Sequence, residues 1–99
     1  MTIITNYEKE YMNFEEKVEL LKIMGHPVRL KIINELYKHK VLNVTQIIRI
    51  LKLPQSTVSQ NLCKMRGKIV KGDRKGLEIY YSIHNPRVAE IITSLMPIQ

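Results

Sequence analysis

Gln55, Ser56, Thr57, Ser59, Gln60, Asn61 and Lys64 fall within ten consecutive positions, and their chemistry is hydrogen-bond exchange rather than bond making. Gln and Asn amides donate and accept together, which matches the adenine edge in a DNA major groove, while hydroxyls suit base edges and phosphate oxygens. Lys71, Arg74 and Lys75 follow shortly. Their cations, with Lys64, would add sequence-blind attraction to a polyanion that weakens with salt. The first group would specify a sequence and the second would hold the duplex. Catalysis is not expected, because no Ser/His/Asp or Cys/His spacing and no phosphate-binding glycine loop is present, and His26 with scattered carboxylates defines no acid/base pair.

Such residues need a scaffold that presents them together. Val44, Ile47, Ile48 and Leu51 stand at i, i+3, i+4 and i+7, with Asn43 and Gln46 spaced as a capping box. Lys52 and Leu53 make a short turn, Pro54 suits a helix start, and Val58, Leu62 and Met65 anchor a second helix. That pattern predicts a helix-turn-helix whose second helix leaves its polar face outward. Gly67 ends it. Ile69–Lys71 and Leu77–Ile83 then read as two strands around the basic tip Gly72–Gly76, forming a wing over 71–76, with Leu77, Ile79 and Tyr81 packing and Glu78, Tyr80 and Ser82 wetter.

Two helices precede this unit and one follows. Asn13 and Glu16 repeat the capping spacing before a helix bearing Phe14, Val18 and Leu21, which should end near Met24 and Gly25. Pro27 opens the next, with Ile32, Ile33, Leu36 and Tyr37 inward and His39 and Lys40 at its C-terminal dipole end. Asn85 and Pro86 open the last, whose Val88, Ile91, Ile92 and Leu95 form another stripe stopped by Pro97. The expected fold is therefore mostly α with a small β-hairpin wing, an α+β winged helix-turn-helix over residues 13–97 behind an N-terminal arm at 1–12. A winged core satisfies itself, so Phe14, Val18, Leu21, Val88, Ile91, Ile92 and Leu95 would leave an apolar patch on a monomer, and a homodimer would cover it.

At 99 residues with 44% hydrophobic composition the chain is expected to form one domain. Its formal charge is +7, yet residues 1–20 carry a net −3, so the remainder holds about +10. Lys64, Arg66, Lys68, Lys71, Arg74 and Lys75 stand against Asp73 alone over twelve positions, and this concentration favours double-stranded DNA as the partner. No run approaches the roughly eighteen apolar residues of a membrane span, and Met1 to Tyr11 lacks the apolar core of a signal peptide. A cytoplasmic location is expected. Cys63, the single cysteine, excludes an internal disulfide, and a half-buried packing role is expected of it. His26 should pack or cap at a helix junction, with His39 and His84 solvated. No cofactor and no metal are expected, since no two histidines share an i, i+4 face; His84 with Glu90 from two subunits is the least poor metal-ligand set.

Three separated motifs carry a family likeness. Met24-Gly25-His26-Pro27-Val28-Arg29-Leu30-Lys31-Ile32-Ile33, then Gln55-Ser56-Thr57-Val58-Ser59-Gln60-Asn61-Leu62, then Arg74-Lys75-Gly76 with Tyr80-Tyr81, resemble the ArsR/SmtB winged-helix repressors over about residues 15–95. The resemblance implies a homodimer built from the first and last helices that binds upstream of target promoters. Metal-sensing members carry a cysteine motif on the helix that here reads Val44-Thr45-Gln46-Ile47-Ile48-Arg49, or paired Asp/His and His/Glu ligands on the last helix, and neither is present. The expected function is sequence-specific DNA binding by a repressor; a metal- or redox-responsive sensor and an interaction paralogue without DNA binding are the alternatives.

Overall fold

Three helix starts among the described residues are set by side chains that accept from otherwise unpaired first-turn amides. His26 Nδ1 accepts from Val28 N at 3.2 Å, one residue ahead of Pro27. Asn43 and Gln46 close a reciprocal capping box, each bond 2.8 Å. Asn85 Oδ1 accepts from Arg87 N at 2.9 Å, with Pro86 opening the helix between them. Each such cap contributes about 1 kcal/mol.

A computed structural model describes residues 14–95. The arm at 1–12, the Asn13 cap and the Pro97 stop lie outside the described residues. Helix α1 occupies 14–24, followed by α2 (Pro27–His39), strand β1 (Leu42–Asn43), α3 (Val44–Leu51), α4 (Gln55–Met65), β2 (Val70–Lys75), β3 (Glu78–Ile83) and α5 (Pro86–Leu95). The strands form one antiparallel sheet in the order β1-β3-β2. This is the winged helix-turn-helix expected from the stripes.

The hairpin departs from expectation in its extent. Pairing runs from Val70 opposite Ile83 to Lys75 opposite Glu78, so Gly72, Asp73, Arg74 and Lys75 are strand residues and the turn is only Gly76 and Leu77. Gly76 has φ 66 whereas Leu77 does not, which is the requirement of a type II′ hairpin turn. Leu77, expected to pack inward, stands 97% exposed at the tip. Gly72 permits the close approach beneath it, since a Cβ there would lie 2.9 Å from Ile79 Cγ2 and 3.1 Å from Tyr81 Cε1. Strand β1, which the sequence reading does not anticipate, pairs Leu42 with Tyr81 and Asn43 with Tyr80, fastening the wing to the start of α3.

One core joins all elements. Ile32, Ile33 and Leu36 of α2 meet Ile47 of α3, Val58, Leu62 and Met65 of α4, and Tyr81 of β3. Val88 and Ile92 of α5 are fully buried in it, which corrects their expected place on a dimer face. From α1 the core takes Leu20 and Met24, and Phe14 and Leu21 remain exposed, with Val18 and Ile91 half-buried and Leu95 exposed. The outward apolar set expected on the two terminal helices is therefore reduced to Phe14, Val18, Leu21, Ile91 and Leu95. The α1 helix is held by ion pairs from its polar side, Glu16 to Arg87 Nη1 at 2.6 Å and Glu19 to Lys68 Nζ at 3.7 Å.

Candidate nucleic-acid interface

At 100° per residue, positions 55, 56, 59, 60, 63 and 64 share roughly one half of α4, and positions 57, 58, 61, 62 and 65 the other. Burial follows that division. Gln55, Ser56, Ser59, Gln60, Cys63 and Lys64 are exposed, Thr57 is half-buried, and Val58, Asn61, Leu62 and Met65 are buried. The structure thus brings together on one face five of the seven residues expected to contact DNA from this helix and turns Asn61 away from them, with Thr57 at the margin.

Asn61 has a different task from the one expected of it. Its Oδ1 accepts from Arg29 Nε at 3.0 Å, its Nδ2 donates to the Thr57 carbonyl at 2.8 Å, and the Arg29 Nη1 donates to the Ile23 carbonyl at 2.9 Å. One guanidinium on α2 therefore joins the end of α1 to the middle of α4. Arg29 was not among the expected functional residues, although it lies in the first of the three family motifs. Cys63 is corrected in the opposite sense: it is a free, exposed thiol near the centre of the outward face of α4 instead of a packing residue.

The α4 helix also begins differently from its neighbours. Pro54 occupies the cap position and no side chain accepts from the first turn, so the amides at the head of the polar row are uncovered by side-chain caps. Lys71, Arg74 and Lys75 are all exposed on β2. Arg74 Nη1 reaches the Gly76 carbonyl at 3.5 Å and Lys75 Nζ lies 5.9 Å from the centre of the Tyr80 ring, so both cations rest along the hairpin. Lys68, paired with Glu19, marks the boundary between this basic surface and acidic α1. Polar donors on a helix, followed in the chain by cations on a hairpin, can exchange hydrogen bonds with base edges and neutralise backbone phosphates.

His26 serves as the α2 cap, as expected, and His39 pairs with Glu35 at 3.4 Å. His84 is exposed between β3 and α5. Among the described residues no three His, Cys, Asp or Glu side chains cluster as a metal site would require, and no helix is long and apolar enough to cross a membrane.

The profile of the family described as bacterial regulatory protein, arsR family, matches residues 26–68, which span α2 to the end of α4. The transcriptional repressor PagR of Bacillus anthracis is 69% identical over 99 residues, covering the whole of both chains. Its crystal structure superposes with a TM-score of 0.80 at 73% identity, covering 86% of this chain and 98% of that one. HlyU from Vibrio cholerae superposes with a TM-score of 0.77 at 30% identity, covering 84% and 90% of the two chains. The name of PagR describes a transcriptional repressor, a non-enzymatic class. With near-complete coverage by a relative at this identity, the same fold and the profile match on its helix pair, the chain belongs to the arsR family of bacterial regulatory proteins.

Proposed function

We propose that this chain is a homodimeric, sequence-specific DNA-binding repressor that acts by occupying promoters. The observation that carries the reading is the exposed row Gln55, Ser56, Ser59, Gln60 and Lys64 on α4, followed in the chain by the basic hairpin that begins at Val70. The row enters the major groove, and Lys71, Arg74 and Lys75 hold flanking DNA. The dimer forms through Phe14 and Leu95, 63% and 56% exposed, together with Leu21, Val18 and Ile91, and spaces two α4 helices about one DNA turn apart, roughly 34 Å. Likeness to PagR, whose name describes a transcriptional repressor, supports the same role.

Footprinting on the DNA upstream of the chain's own coding sequence, followed by titration of that duplex and a random one, tests the proposal. Ser59→Ala or Gln60→Ala should each cost about 1–3 kcal/mol on the footprinted site and little on random DNA. Lys75→Ala should weaken both and lower the salt slope by about 1.8, or about 0.9 for each subunit of the dimer. Equal losses on both duplexes for all three variants would remove the assignment of α4 as the reading helix. The position of Cys63 within the row favours a redox-responsive version as the second reading, and identical affinity of the reduced and peroxide-treated protein would eliminate it.

A further inference from the structure

Where the end of α2 meets the end of β3 and the start of α5, the structure leaves an open hollow of about 350 Å³. Leu36, Tyr37, Ile83, Pro86 and Ala89 give it apolar walls. Its polar groups are Lys40, Ser82 and His84, and no Asp or Glu lines it. Among the described residues none of these three side chains has a hydrogen-bond acceptor or a carboxylate partner, whereas neighbouring Lys38 and His39 both pair with Glu35. A second hollow that His84 also borders is walled by Glu16 and Glu19 and has the opposite character.

Lys40 holds its place against backbone preference. Its φ of 75 and ψ of −52, with Val41 N donating to the His39 carbonyl at 2.9 Å, make a γ-turn of the hand that strains an L residue. Glycine would take this turn without strain, yet the position carries a cation whose Nζ lies 5.2 Å from the centre of the Tyr37 ring, at the rim of the hollow. Strained residues of this kind gather at sites where a ligand is held. Across the hollow, His84 N donates to the Ile69 carbonyl at 2.8 Å, which fixes the opposite wall. At 100° per residue Ala89 lies about 160° around α5 from Ile91, so the hollow opens away from the outward apolar edge of that helix. No residue of α4 or β2 lines it, which separates it from the surface proposed to meet DNA.

We propose that this hollow binds a small organic monocarboxylate with an apolar body about the size of one aromatic ring. The carboxylate accepts from Lys40 Nζ, with Ser82 Oγ and His84 as further donors, and the body covers Leu36, Ile83 and Ala89. The volume stands near the lower end for small-molecule sites, roughly 300–1,000 Å³. A ligand of about ten non-hydrogen atoms in an open site binds with a Kd of about 1 mM. Inorganic phosphate would leave the apolar walls uncovered, and a neutral analogue would leave the cation unpaired.

Amide NMR of the full chain, titrated with phenylacetate, phenylacetamide and acetate, tests the site. Phenylacetate should give saturable shifts at Tyr37, Lys40, Ser82, His84 and Ala89, and the other two probes should bind at least about tenfold more weakly. Lys40→Arg should keep the affinity. Lys40→Gly, which removes the cation and relaxes the turn, should lose about tenfold or more while its urea midpoint stays at or above wild type. Ala89→Leu, which fills the hollow with Lys40 still present, should lose binding too. Equal affinity for phenylacetamide, full affinity in Lys40→Gly, or no saturable shift up to about 20 mM overturns the inference. Shifts confined to α4 and β2 would assign the carboxylate to the basic surface there and also overturn it, leaving the proposed DNA-binding function untouched.

Discussion

Asn61→Ala is the substitution that most directly tests how the reading helix is held. It removes the acceptor for Arg29 Nε at 3.0 Å and the donor to the Thr57 carbonyl at 2.8 Å, and leaves the guanidinium with its bond to the Ile23 carbonyl. A hydrogen bond to a charged group contributes about 1.5–3 kcal/mol, and the partial burial of this one allows water to recover some of it. The expected destabilisation is about 2 kcal/mol, read in urea at one fixed protein concentration as a lower midpoint with an unchanged m value. The geometry also requires coupling. Arg29→Ala and Asn61→Ala combined should cost less than the sum of the two singles by about 1 kcal/mol, and Arg29→Lys should resemble Arg29→Ala, because an ammonium cannot span both acceptors in the planar fork. On DNA the variant should lose preference for the cognate duplex over random sequence, since no side chain of the reading row has been removed but the helix bearing them has lost its brace. Strict additivity of the two single variants would refute the brace, and destabilisation with an intact preference would reduce it to a packing contact.

Two further outcomes follow from the packing. Leu21→Glu, at a 45% exposed position outside the core, should leave helical content intact and convert the sedimenting species from dimer to monomer; a species of unchanged mass would remove α1 from the interface. Gly72→Ala places a methyl group 2.9 Å from Ile79 Cγ2 and 3.1 Å from the ring of buried Tyr81, where neither side chain can swing clear cheaply. Overpacking of this kind costs about 1–3 kcal/mol, so its urea midpoint should fall while a substitution at neighbouring Asp73 leaves it in place.

The helix pair and its caps were legible because they rest on local rules. The Asn43 and Gln46 box and the stripe through Ile47 depend only on residues within one or two turns of each other. What escaped depends on which side of a mixed surface meets the rest of the chain. Asn61 lies at i+3 from Val58 and i−4 from Met65, so its position belongs to the buried stripe, and its polar type concealed that; Arg29, thirty-two residues away, supplies the partner that permits an amide there. Cys63 falls outside the same stripe, and its general tendency toward burial pointed the wrong way. On α5 the apolar stripe is wide enough to face two ways, and only the packed fold distinguishes the core edge, Val88 and Ile92, from the outer edge, Ile91 and Leu95. The first wing strand runs further than expected because glycine and charge at Gly72–Lys75 resemble a loop, whereas cross-strand pairing with β3 overrides that preference.

Asn43 is the hinge pin that this architecture lacks the freedom to turn. The residue ends strand β1 opposite Tyr80 and, in the same position, caps α3 through its reciprocal bonds with Gln46. The wing therefore cannot swing against the helix pair without breaking either the ladder or the cap. Under the proposed function, a helix pair and a hairpin joined through this one residue would act as a fixed gauge, and DNA whose groove-to-groove distance departs from that setting would itself have to bend or twist to be held.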